Sequence, residues 1–188
     1  MKRTPGTRMA IALLIVAVGA GVALYPTFTD LRYRWYQEFS PQVASAGTTL
    51  RPEGGIQIPD GFVAKIEIDA ILVSAYIVEG TDARDLAKGP GHYEETPMPG
   101  EAGNCCIAGH RTTQGAPFNE LASLEEGDEI RTYTSDASSV YRVIEVRSVG
   151  PRDVSVVDQS EDSLLTLTTC HPEGSARERL VVVAQLVR

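Results

Sequence analysis

Apolar and polar residues divide the chain into a long apolar run, a segment rich in small residues, and a series of short stretches that suit β-strands. The apolar run, residues 9–29, has no formal charge, and as a helix its 21 residues would span roughly 31 Å, close to the hydrocarbon thickness of a bilayer. Lys2, Arg3 and Arg8 precede the run, so the positive-inside rule predicts a cytoplasmic N-terminus and an exported remainder. The alternative is a cleaved signal peptide, with the small residues of 18–23 as its cleavage region.

The same pattern predicts the domain organisation. The four predicted parts are a cytoplasmic N-terminus (1–8), a transmembrane signal-anchor (9–29), a juxtamembrane segment and linker (30–60), and a folded domain (61–188). Tyr25, Tyr33, Trp35 and Tyr36 suit the membrane interface, where aromatic side chains concentrate. Pro, Gly, Ser, Ala and Gln dominate residues 40–61, which is typical of a tether.

Beyond residue 61, stretches of apolar or alternating residues recur, separated by turn-forming residues. The predicted strands are 62–68, 71–78, 103–109, 129–134, 139–147, 163–169 and 178–187. Two short helices are predicted, one over 81–88 behind Thr81 as N-cap and one over 117–124 behind Pro117. Short strands at this spacing predict a mostly β fold, a closed or nearly closed barrel or sandwich of about eight strands.

Composition narrows the function classes. Hydrophobic residues make up 43% of the chain and charged residues 22%, which excludes a disordered protein. The formal net charge of -8 combines a head, residues 1–40, of net charge +3 with a remainder of -11. An acidic folded domain argues against nucleic-acid binding. Three cysteines are too few for a disulfide scaffold and leave at least one thiol unpaired.

Cys170 is a candidate nucleophile because it ends a predicted strand and precedes a loop containing Pro and Gly. Its neighbour His171 is a poor catalytic partner, since adjacent side chains in an extended segment point to opposite faces. His110 also ends a predicted strand and is the better partner, whereas His92 lies in a Gly/Pro loop as a solvated or packing residue. A buried, inert thiol is the alternative for Cys170.

Stabilisation of an oxyanion calls for a positive group near the nucleophile. Arg177 and Arg179 have the same parity on the last predicted strand, and Arg179 leads directly into its apolar part. A surface ion pair with Glu173 or Glu178 is the alternative for these arginines.

These residues resemble a known family. Residues 166–170 read Thr-Leu-Thr-Thr-Cys, and with Arg179-Leu-Val-Val they resemble the TLxTC…R signature of sortases, the cysteine transpeptidases of Gram-positive cell walls. Residues 108–113, Ala-Gly-His-Arg-Thr-Thr, with Pro117-Phe118 resemble the segment that carries the sortase catalytic His. The stretches 88–93 and 170–180 are most similar to class E sortases of high-GC actinobacteria. The resemblance covers roughly residues 60–188, with His, Cys and Arg in the family's order.

The resemblance implies a single closed sortase-type β-barrel with Cys170 as nucleophile, His110 as acid/base and Arg179 as the cation that binds substrate and oxyanion. It further implies a hydrogen bond from Thr169 near the oxyanion, and no cofactor or metal. The implied substrates are secreted proteins with a C-terminal LPxTG-like sorting signal, or LAxTG-like for class E, cleaved between Thr and Gly. The implied acceptor is a cell-wall precursor amine or a pilin Lys, and the implied location is the outer face of the cell membrane.

Four other interpretations remain open. An extracytoplasmic cysteine peptidase would hydrolyse the same acyl-enzyme, and a non-catalytic anchored β-domain would act as an adhesin or scaffold. A zinc site formed by Cys105, Cys106, His110, Cys170 and His171 lacks the CxxC spacing. Glu94, Glu95 and Glu101 are calcium candidates, although a solvated acidic loop explains them equally.

The pair Cys105-Cys106 departs from the family pattern. By strand parity Cys106 shares a face with His110, and Cys105 shares one with Ile107. Two small buried side chains are expected, and a regulatory disulfide between Cys106 and Cys170 is the alternative.

Overall fold

The computed structural model describes residues 5–40 and 55–187, which form an N-terminal helix and a β-barrel. Residues 41–54 of the predicted linker lie outside the described residues, as do residues 1–4 of the predicted cytoplasmic N-terminus.

Helix α1, Pro5–Arg34, continues into one π-helical turn, Trp35–Phe39. The stretch Met9–Phe39 is long and apolar enough to cross a membrane, and the side chains of its most apolar part are exposed. The helix does not end with the uncharged run at residue 29 but extends ten residues further. This extension contacts the barrel through Asp30, Arg32 and Gln37.

Within residues 55–187, eight strands close into a barrel in the order β1-β2-β3-β4-β7-β8-β6-β5, which confirms the predicted fold. The strands are β1 (Ala64–Ile68), β2 (Val73–Glu79), β3 (Gly91–His92), β4 (Asn104–Ala108), β5 (Glu129–Tyr133), β6 (Ser138–Val149), β7 (Leu164–His171) and β8 (Glu178–Leu186). The pairs β2/β3 and β4/β7 are parallel, and the other neighbouring strands are antiparallel.

The barrel interior follows the period-two alternation of its strands. Ile107 on β4, Leu167 on β7 and Val182 on β8 are register partners in one row, and all three are fully buried in the core. The residues next to them in each strand therefore point to the outer face. Since His110, Cys170 and Arg179 are each an odd number of residues from this row, continued alternation places them on the outer face together.

The two predicted short helices need correction. Residues 81–88 form consecutive turns rather than a helix. Asp82 caps them, since its Oδ1 accepts hydrogen bonds from the backbone N–H groups of Arg84 and Asp85. The i to i−4 pattern is not continuous, because Leu86 N–H donates to Asp82 O but Lys88 N–H donates to Asp85 O, only three residues back. The second segment contains a short 3₁₀ helix, Asn119–Ser123. Strand β3 was missed because its two residues lie in a Gly/Pro segment without a strand pattern.

Candidate active site

The parallel pairing of β4 with β7 brings His110 and Cys170 to the same level of the barrel. Ala108 is the register partner of Thr168, and Gly109 N–H then donates to Thr168 O at 3.0 Å. His110 and Cys170 each follow this last pair by two residues. Neighbouring strands lie about 4.8 Å apart, so the two side chains leave adjacent strand ends on one face.

Arg179 flanks Cys170 on its other side. The two are direct register partners in the antiparallel pair β7/β8. Arg179 Nη1 lies 2.7 Å from Cys170 Sγ and donates a hydrogen bond to the sulfur. A guanidinium donor stabilises negative charge on its acceptor. Arg177 is exposed and precedes β8, so the structure separates the two arginines that sequence parity had left equivalent.

His110 is half-buried at the start of the loop that leaves β4. Burial lowers the pKa of its imidazole below the ordinary 6.5, because the charged form loses hydration. Phe118 closes this loop, since its backbone N–H donates to His110 O at 3.0 Å and its ring fills the core beneath Gly109. A side chain at position 109 would overlap that ring, so glycine is required there.

Thr169 connects the two strands that carry the candidate nucleophile and acid/base. Its buried hydroxyl donates to Gly109 O at 2.8 Å, one residue before His110. This contact fixes the spacing of the β4 and β7 ends. The predicted hydrogen bond from Thr169 to an oxyanion stays a prediction.

Sequence reasoning assigned no role to Arg111, which crosses from the β4 loop to β7. Its Nη1 donates to His171 Nδ1 at 2.7 Å and to Cys170 O at 3.4 Å. Arg111 Nε is buried without a hydrogen-bond partner among the described atoms. Because a guanidinium only donates, His171 Nδ1 is the acceptor, and the ring carries its proton on Nε2. An arginine directly after the candidate His was the available sequence signal.

His92 lies away from this cluster and is a packing residue. It is only 3% exposed, with Nδ1 2.8 Å from Glu79 Oε1 and Nε2 3.1 Å from Pro97 O. These contacts join β2, β3 and the following loop.

Cys105 and Cys106 are buried free thiols. Burial raises the pKa of both, that of Cys106 to about 12, so neither is a thiolate at neutral pH. Cys106 is the register partner of Thr166, and Cys170 is four residues further along the same strand. That offset is about 13 Å along β7, beyond the Cα separation that a disulfide spans. The proposed Cys106–Cys170 bridge does not fit this geometry.

Among residues 5–40 and 55–187, no group of three or more His, Cys, Asp or Glu side chains is arranged to hold a metal ion. Glu94 and Glu95 line a cavity of about 610 Å³ together with Asp82, Asp85 and Asp158. The third calcium candidate, Glu101, instead accepts a hydrogen bond from Met98 N–H.

Two known proteins with similar sequences are sortases. The chain is 37% identical over 126 residues to sortase D of Bacillus subtilis, covering 65% of this chain and 62% of that protein. It is 36% identical over 153 residues to sortase SrtE1 of Streptomyces coelicolor, covering 73% of this chain and 43% of that protein. The chain thus spans less than two thirds of the length of either relative.

Solved structures show the same likeness. The crystal structure of sortase E1 from Streptomyces coelicolor with a tripeptide in its active site has a TM-score of 0.63 at 34% identity, covering 68% of this chain and 88% of that one. Sortase C-1 from Actinomyces oris has a TM-score of 0.65 at 31% identity, covering 69% and 75%. The sortase-domain family model matches residues 66–187, well over half of the chain. The protein belongs to the sortase family.

Proposed function

We propose that the protein is a cysteine transpeptidase that cleaves a sorting signal between Thr and Gly and joins the Thr carbonyl to an amine. The observation that carries the proposal is the contact of Arg179 Nη1 with Cys170 Sγ at 2.7 Å, with His110 at the end of the neighbouring parallel strand. Nucleophile, cation and acid/base thus leave three adjacent strands on one face.

In the first half-reaction, the Cys170 thiolate attacks the Thr carbonyl carbon and forms a C–S bond. The Thr–Gly C–N bond breaks, and the His110 imidazolium gives its proton to the departing Gly amine. In the second half-reaction, an incoming amine attacks the thioester and forms the new C–N bond. The C–S bond breaks, Cys170 leaves as thiolate, and His110 recovers a proton from the amine.

Arg179 has two successive tasks in this scheme. It stabilises the thiolate before attack and then donates to the substrate carbonyl oxygen as negative charge moves from sulfur to oxygen. Thr169 holds the β4 and β7 ends in register through its hydroxyl, which donates its single proton to Gly109 O. The buried Cys105 and Cys106 take no part.

The proposed substrates are secreted proteins that carry a C-terminal LPxTG-like or LAxTG-like signal. Similarity to sortase SrtE1 supports class E, although identity to sortase D is as high. The proposed acceptor is a cell-wall precursor amine or a pilin Lys. Helix α1 is proposed as the membrane anchor, with the basic residues before its apolar run on the cytoplasmic side and the barrel outside.

The test uses the full chain in detergent micelles with LPxTG and LAxTG peptides, with and without added amines. Mass spectrometry should detect a thioester on Cys170 and an amide product that forms only when amine is present. The Cys170→Ala variant should give neither, and retained transpeptidation by that variant would overturn the proposal. Release of free acid alone, whatever amine is added, would identify a hydrolytic peptidase, and no reaction would favour the non-catalytic β-domain.

A further inference from the structure

The loop that follows His110 has an unusual backbone. Gln114, Gly115 and Ala116 have φ values of +53°, +73° and +46° in succession, and two of the three are not glycine. Non-glycine residues rarely adopt left-handed conformations, and such residues persist where the surrounding structure holds them. The loop is closed on His110 itself, because Phe118 N–H donates to His110 O.

The last turns of the N-terminal helix contact this loop. Asp30 Oδ1 accepts a hydrogen bond from Gly115 N–H at 2.9 Å. The half-buried Tyr33 ring lies directly against Gly115, so that a Cβ at position 115 would overlap it. Arg32 Nη2 donates to Gln114 Oε1 at 3.4 Å. Two of the three left-handed residues are therefore held from outside the barrel.

A second contact fixes the same helix to the wall of the barrel. Gln37 is 8% exposed and pairs with Tyr76 of β2 through both ends of its amide, with Nε2 donating to Tyr76 O at 2.9 Å and Oε1 accepting from Tyr76 N–H at 2.7 Å. The same Nε2 donates to Lys88 O at 2.8 Å. A Cβ at position 89 would overlap the Gln37 amide, so the glycine at this position leaves the space that the Gln37 side chain occupies.

The contacting residues form one face of the helix. Asp30, Tyr33 and Gln37 are spaced i, i+3, i+7, which places them in one row. Leu31 is 66% exposed and Trp35 is 47% exposed, so the other faces are free of the barrel. Two attachment points one to two turns apart prevent the helix from pivoting on the barrel.

We propose that these last helical turns are a positioning element of the active site: Asp30 and Tyr33 hold the loop of residues 111–118 in its strained form, and this sets the placement of His110 and Arg111. The inference rests on the proposed function, because its readout is the transpeptidation rate. Arg111 transmits the loop position to the nucleophile strand through its contacts with Cys170 O and His171 Nδ1. The catalytic unit then includes the end of the anchor helix and not the barrel alone.

The experiment compares full-length variants in detergent micelles. Tyr33→Ala and Asp30→Ala should lower kcat about tenfold and leave the KM for the sorting peptide within about twofold, because the inferred role of the helix is to place His110 and not to bind the peptide. Tyr33→Phe keeps the ring and Asp30→Asn keeps an acceptor oxygen, so both should restore more than half of the rate. Arg34→Gln, on the exposed side of the same turn, is the matched control and should match wild type.

Two further readouts separate positioning from general loss of stability. A released loop admits water to His110, so the pH-rate limb that His110 controls should move to higher pH in Tyr33→Ala. The thermal unfolding midpoint of the barrel should stay constant in Asp30→Ala, which removes one hydrogen bond outside the core. Loss of kcat that appears only with a lowered midpoint would overturn the inference.

The two proposals fail in different ways. Wild-type rates and pH profiles in both alanine variants would overturn the positioning role and leave the transpeptidase intact. Absence of a Cys170 thioester in the wild-type protein would instead overturn the proposed function.

Discussion

Cys170 and Arg179 are register partners on β7 and β8, and Nη1 of the arginine lies 2.7 Å from the sulfur of the cysteine. The strand pairing itself creates this contact, since residues directly opposite in an antiparallel pair have Cβ atoms about 5 Å apart. The proposed nucleophile therefore has a guanidinium donor built into the wall of the barrel, and no loop closure is needed to supply it.

Replacement of Arg179 should show how much this contact contributes. Arg179→Ala is expected to reduce kcat/KM about 100-fold or more, in the range found for loss of one oxyanion donor. Arg179→Lys should recover part of the rate, because it keeps the charge but not the donor fork. Steady-state kinetics with a sorting peptide provides the measurement. Arg177→Ala is the matched control, and an equal loss in that variant would contradict the assignment.

The three thiols should differ sharply in reactivity. Native protein treated with iodoacetamide at pH 7 should be alkylated at Cys170 alone, because Cys105 and Cys106 are buried and burial raises their pKa, to about 12 for Cys106. Peptide mass mapping identifies the labelled site, and unfolded protein, in which all three thiols react, is the control. Labelling of Cys106 at a rate comparable to that of Cys170 would contradict the burial of the Cys106 thiol.

The titration of His110 should reflect its half-buried position. Burial lowers its pKa, so its midpoint in the folded protein should fall below the ordinary 6.5. The unfolded chain takes up this proton first as pH falls, so stability should decrease from pH 6.5 down through the lower folded pKa of His110 and stay reduced below it, with no such effect above 6.5. An NMR titration of the ring proton tests this, and a midpoint at or above 6.5 would contradict it.

The Arg111 contact predicts a single tautomer for His171. Because Nδ1 accepts from Arg111, ¹⁵N shifts should show His171 protonated on Nε2 at neutral pH. In Arg111→Ala the tautomer preference should relax, and the loss of hydrogen bonds from a charged donor should cost about 1.5–3 kcal/mol of stability. The conservative Arg111→Lys variant should lie between the two. A His171 ring already protonated on Nδ1 in the wild-type protein would exclude the contact.

Much of the architecture was predictable because it depends on local patterns. Alternating, apolar or small-residue stretches between turn-forming residues identified seven of the eight strands within residues 55–187. Strand β3 was missed because its two residues are too few to show a pattern. The helix predicted at 81–88 was wrong because the backbone bonds after the Asp82 cap mix i−4 and i−3 spacing and form only turns. Parity also correctly placed Cys105 in the core row with Ile107.

Contacts between distant segments were beyond the reach of such patterns. Arg111 and His171 are 60 residues apart in the chain, and Asp30 and Gly115 are 85 apart. Nothing in either local sequence specifies the other partner. The sequence also gave no indication that the helix extends past residue 29 or that Gln37 attaches it to the barrel. In the sequence, a glutamine that becomes buried cannot be distinguished from one that stays in solvent.

The sequence by itself determined that the chain has an apolar N-terminal run, a β-rich domain, and a His, a Cys and an Arg each at the end of a strand. Only the tertiary structure decided that those strand ends are neighbours, that the guanidinium of Arg179 lies within hydrogen-bond distance of the Cys170 sulfur, and that the helix contacts the loop after His110. The physical reason is that alternation of side chains fixes which face a residue occupies, while barrel closure fixes which residues from distant strands share that face.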